Sequence, residues 1–173
     1  MTPALQPMLF SYDPDTEGVW VDAAPFRAHL LLLLGAGLSE PVIARLAGVS
    51  VRSVVHLAHG RRGRLLRRVC GDTGRRLLRI TTAEARAIRY RPVPVRASRY
   101  RLRAMIDAGW SVQRLAEDTG LAIPALEQVA GRGSATCSQL VALTIAAAYE
   151  QWQIDQEATG LVDQEPTGLG VAA

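Results

Sequence analysis

A chain of 173 residues, 49% apolar but only 5% aromatic, has room for one ordinary domain or two very small ones, with a core of Leu, Val, Ile and Ala. The net charge of +4 hides a segregation: residues 61–103 carry 15 Arg and 2 acids (net +13), against −2 for residues 1–60 and −7 for residues 104–173. All 20 basic residues are Arg, whose planar fork binds two phosphate oxygens at once, so the middle of the chain is expected to attract a polyanion, and a mixed-sign solvated charge run is disfavoured.

In chain order, residues 1–20 read as a flexible N-terminus. Asp22 is placed to cap a first helix that has Pro25 in its opening turn and ends at Gly35 or Gly37. The run Leu30–Leu34 lies in it, bounded by His29 and Ser39-Glu40; this is far short of the roughly 20 residues a bilayer needs, and it reads as a buried helix. Ser39 caps a second helix with Ile43 and Ala44 inward, and Gly48 supplies the left-handed residue of a tight turn. Ser50 caps a third helix whose packed face draws on Val51, Val54, Val55 and Leu57.

Next comes a short basic arm, Gly60-Arg61-Arg62-Gly63-Arg64, expected to be flexible. Leu65, Leu66 and Val69 suggest one face of a helix with Arg64, Arg67 and Arg68 on the other, and Gly71-Asp72-Thr73-Gly74 suggests a turn. Thr81 and Glu84 have capping-box spacing for a fourth helix, where Ala85 and Ile88 close the unit. Residues 91–97, with Pro92 and Pro94, read as an extended basic linker.

A repeat then becomes visible at an offset of 72 residues: Ala36, Gly37, Ser39, Ala44 and Gly48 recur as Ala108, Gly109, Ser111, Ala116 and Gly120. The expected organisation is a first unit over 21–90 and a second over 98–153. Residues 138–153 form an apolar helix that either completes the second core or makes an interface. Residues 154–173, with the repeated Asp-Gln-Glu pattern, read as an acidic disordered tail.

The stretch Ala44…Gly48-Val49-Ser50…Val54 resembles the helix-turn-helix of phage repressors and bacterial regulators. From Val21 to Trp152 the chain is similar to tandem helix-turn-helix regulators of actinobacteria and their phages, some of them immunity repressors. That resemblance implies an all-α fold of two small helix-turn-helix bundles and binding of double-stranded DNA in the bacterial or host cytoplasm. The last helix of each bundle would be presented to the major groove.

On this reading Ser50, Arg52, Ser53 and His56 are the outward residues of the first reading helix, Arg52 pairing with guanine and the others reaching bases or phosphates. In the second, Gln128 suits adenine and Ala125 a thymine methyl, whereas Glu127 repels phosphate. Backbone or minor-groove contacts are expected from Ser39, Arg61, Arg62, Arg64, Arg67, Arg68, Arg75, Arg76, Arg99, Arg101, Arg103, Ser111, Arg114 and Arg132. The alternative is an interaction module or an architectural or recombination accessory protein. In it the second unit binds a protein, either RNA polymerase or a second copy through 138–153, and DNA contact is auxiliary. His29, His56 and His59 have no metal-site neighbours, Cys70 and Cys137 read as reduced thiols, and no phosphate loop or nucleophile elbow is present. No catalytic residue, metal or cofactor is therefore expected, and no membrane association.

Overall fold

The computed structural model describes residues 19–131 and 133–162, which are mostly helical. The order is β1 (Trp20–Asp22), α1 (Ala24–Gly35), α2 (Glu40–Ala47), α3 (Val51–His59), β2 (Arg68–Cys70), α4 (Gly71–Leu78) and α5 (Thr82–Ala87). There follow β3 (Pro92–Pro94), α6 (Arg96–Asp107), α7 (Val112–Thr119), α8 (Ile123–Ala130), β4 (Thr136–Ser138) and α9 (Gln139–Val162). No single helix among the described residues is long and apolar enough to cross a membrane.

The order strand, three helices, strand, helix occurs twice. β1 and β3, and the three helices after each, begin 72 residues apart; a shorter loop before β4 reduces the offset to 68 for the closing strand and helix. In each copy the two strands pair antiparallel, β1 with β2 and β3 with β4. The repeat thus extends well beyond the segment in which residue identity reveals it.

Local chemistry accounts for several of the helix ends. The Asp22 carboxylate accepts the Ala24 N–H at 3.0 Å, and the hydroxyls of Ser50, Thr81 and Ser111 each accept an N–H three residues on at 3.1 Å. Gly48 (φ 65°) and Gly120 (φ 68°) both close their helices in the left-handed conformation.

Several expectations are corrected. Leu65–Val69 is not a helix face: the chain is loop to Arg67, then strand β2, because Val69 is buried opposite Val21. Gly71–Gly74 is not a turn but the first turn of α4. Its glycines serve close packing, since a Cβ on Gly74 would stand 2.6 Å from the Phe26 ring and one on Gly71 would stand 2.9 Å from the Val19 carbonyl. The expected linker at 91–97 is strand β3 followed directly by α6, so Pro92 and Pro94 occupy a short two-stranded edge where a missing N–H is tolerated. On α3, Val54, Leu57 and Ala58 are buried, whereas Val51 and Val55 are exposed.

The core is in two parts. One gathers Leu30, Leu33, Ile43, Val54, Leu57, Leu77 and Ile88; the other gathers Leu102, Met105, Leu115, Leu126, Val129 and Ile145. α9 serves both. Leu140 and Leu143 pack on the first core, whereas Ile145 is part of the second, with Tyr149 and Trp152 packed against it. The Leu140 and Gln139 N–H groups donate to the carbonyls of Ile88 (3.0 Å) and Arg91 (2.8 Å), and Arg45 of α2 pairs with Glu150. The apolar helix therefore completes the second core and splints it to the first. It also runs on to Val162, beyond its expected end at Gln153; the remainder of the tail and residues 1–18 lie outside the described residues.

Candidate nucleic-acid interface

The outward side of α3 follows from which of its residues the core takes. With Val54, Leu57 and Ala58 inward, helical spacing leaves Arg52, Val55 and His59 exposed and His56 half-buried. The Ser50 and Ser53 hydroxyls lie 2.8 Å apart, and Ser50 also caps the helix, so this pair is engaged in holding the first turn. His59 bonds Glu40 at 3.0 Å, tying the end of α3 to the start of α2; that hydrogen bond holds the Glu40 carboxyl below its usual range. Arg52 is the one guanidinium on α3 and makes no bond to the described residues. Val55, which the sequence assigns to the core, stands beside it as an apolar contact surface; Val51, Val54 and Val55 have the i, i+3, i+4 spacing of a single face, so only the packing shows which edge of that face is buried.

The basic arm is ordered. Arg61 and Arg64 exchange backbone bonds of 2.9 and 3.1 Å across a tight turn, with Arg62 at φ 51° and Gly63 at φ 74°. Positive φ at both central positions marks a type I′ hairpin turn, and it displays Arg61, Arg62 and Arg64 directly after α3. Gly60 permits the geometry: at φ 84° and ψ −172°, a side chain there would run into the Arg64 carbonyl. Gly60→Ala is expected to open the turn at a cost of about 1–3 kcal/mol. Faster exchange of the Arg61 and Arg64 amide protons would register it, and unchanged exchange would show that the turn does not depend on Gly60.

The other arginines divide sharply. Arg67, Arg68 and Arg75 are exposed, Arg75 only loosely paired to Asp72 at 3.8 Å, and Arg101 is half-buried. Arg76 is bound internally, to Asp72 at 2.6 Å and to the Gly48 carbonyl at 3.2 Å, where it braces the α2–α3 turn. Arg99 donates to the carbonyls of Val129 (3.0 Å) and Ser134 (2.7 Å), and Arg103 to that of Ala130 (3.0 Å). Arg114 lies over the Trp110 ring at 4.1 Å and near Asp118 at 3.8 Å. Arg76 and Arg99 are thus internal ties, contrary to the expectation that they face a phosphate, and Arg103 is partly so, whereas Arg114 remains exposed above Trp110. Ser39 is half-buried at the start of α2 without a capping bond, Ser111 caps α7, and Arg132 lies outside the described residues.

Arg99 has a counterpart that sequence reasoning missed. Arg27, 72 residues earlier, donates to the carbonyls of Leu57 (2.9 Å) and Leu66, the same places in its own copy. In each copy one arginine of the first helix clamps the end of the third helix to the loop before the closing strand. Its signal was an arginine at a fixed repeat position outside the matched segment.

The second copy presents a different surface. α8 exposes Pro124, Glu127 and Gln128 where α3 has exposed Arg52 and Val55 and half-buried His56, and Ala125 is half-buried. The scaffold is retained while its outward face carries no cation. No protein-family model matches the chain, and no curated protein or solved structure matches it.

Proposed function

We propose that the chain is a sequence-specific double-stranded DNA-binding regulator, most simply a repressor that acts by occupying its site, built as two linked helix-turn-helix bundles. The observation that carries this reading is the ordered arginine turn set immediately after a helix whose exposed face bears Arg52 and Val55. A guanidinium in the major groove suits the two acceptors of guanine, and a valine suits a thymine methyl. The turn brings three further charges to the phosphates or the minor groove. Because α8 differs so much from α3, the site is expected to be asymmetric, with most information in the half read by α3.

Selection of bound duplexes from a random pool tests this. An asymmetric site is expected, and recovery of no sequence preference would overturn the reading. Arg52→Ala is expected to cost about 1–3 kcal/mol at a single base position; an equal loss on all sequences would remove Arg52 from base reading. A second reading is favoured by the uncharged-to-acidic face of α8: the second bundle acts as a scaffold or protein-binding module while the first grips DNA. In that case base preference in the selected sites would stop within one α3 footprint.

A further inference from the structure

The two copies differ on the outer face of their first helix, and of the residues concerned only Arg103 makes an internal bond, through one guanidinium nitrogen to the Ala130 carbonyl at 3.0 Å. In α6 this face carries Arg96, Tyr100 and Arg103; the equivalent positions of α1 are Ala24, Ala28 and Leu31. The fold is therefore built without these groups in one copy, yet the other displays a tyrosine that is 70% exposed between two arginines on one helical stripe. They line a shallow groove of about 500 Å³ with Arg99, Ala104 and Asp107.

What sets Tyr100 apart from the chain's other exposed aromatics is its place in a groove between two arginines, and those flanking groups define the chemistry of a partner. The ring offers a flat stacking surface, Arg96 and Arg103 offer positive charge on either side at helical spacing, and Asp107 at the groove's end is an acceptor for an exocyclic amine. Paired bases inside a duplex are stacked on one another and cannot lie on such a ring, whereas an unpaired base with its phosphates can. We propose that the α6 groove binds a nucleic-acid strand with unpaired bases, one base stacked on Tyr100 and its neighbouring phosphates held by Arg96 and Arg103. The groove belongs to a different helix from the outward faces of α3 and α8. It gives the second copy a contact with nucleic acid that its acidic α8 face does not offer.

The test is fluorescence anisotropy with the full chain and labelled 12-residue oligonucleotides of one sequence: single-stranded DNA, single-stranded RNA and duplex DNA. Tyr100→Ala is expected to weaken single-strand binding by about fivefold to 150-fold, Tyr100→Phe to leave it within about twofold, and neither to change duplex binding. Arg96→Ser provides a second variant, expected to weaken single-strand binding and lower its salt dependence. A preference between the DNA and RNA strands identifies which source the groove serves. The proposal fails if the wild-type chain does not bind single strands, if Tyr100→Ala leaves their binding intact, or if it weakens strand and duplex equally. Loss of duplex binding by the wild-type chain would instead count against the regulator reading alone.

Discussion

Replacing Arg61, Arg62 and Arg64 together by Ser is expected to weaken binding to every duplex, specific or not, and to flatten its salt dependence. Each phosphate neutralised releases counterions worth about 0.9 in the slope of log affinity against log salt, so three lost contacts reduce that slope by up to about 2.7. The three guanidinium groups are fully displayed on a turn whose backbone bonds are its own, so the fold is expected to survive. Arg62 even holds an unfavourable left-handed conformation at φ 51°, which places the charge on the turn at some cost to stability. Affinity measured from low to moderate salt checks the prediction; an unchanged slope would mean that the turn does not touch the backbone. The ordered turn also sharpens what the arm does. A flexible arm would lose conformational entropy on binding, whereas a preformed hairpin has already lost it.

Arg27→Ala and Arg99→Ala are expected to act on stability. Each removes a charged donor that satisfies two carbonyls at the end of a helix and leaves those carbonyls unpaired in a partly buried setting. Hydrogen bonds to charged groups contribute about 1.5–3 kcal/mol each when buried; for two part-buried bonds that share one guanidinium, a smaller combined loss of about 2–4 kcal/mol per clamp is expected. For a domain of this size that is a fall in Tm of roughly 5–15 °C. Thermal unfolding of both variants is the measurement, with Arg67→Ala as an exposed control expected to stay within about 0.5 kcal/mol. If Arg99→Ala melts like the wild type but loses DNA affinity, the sequence-based assignment of Arg99 to the phosphates was right and the clamp is unimportant.

These two predictions separate arginines that look alike in a sequence. Net charge counts a guanidinium wherever it lies, and the +13 segment contains both kinds. Whether a given one meets phosphate or a carbonyl depends on which loop folds over it, and that is a long-range matter: Arg99 reaches residues 30 and 35 positions away. The same limit explains why 65–74 departs from its local preference. Gly71 and Gly74 carry the composition of a turn, but their small size admits Phe26 and the Val19 carbonyl just before β1 against α4. Local preference for a turn yields to that packing.

The sequence by itself determined the helical character, the caps at Asp22, Ser50, Thr81 and Ser111, the left-handed glycines and the repeat from Ala36 to Gly120. Each of these is settled by neighbours a few residues apart, through hydrogen bonds from a side chain to nearby backbone or through the freedom of a glycine. It also marked Arg52 and the arginine turn as the outward cations. Only the tertiary structure decided that the turn is ordered, that β1 to α4 is copied as β3 to α9, and that α9 joins both cores. Pairing of three-residue strands and burial of Leu140 against a distant core carry no local signature, because their stabilisation comes from residues that the chain brings together only on folding.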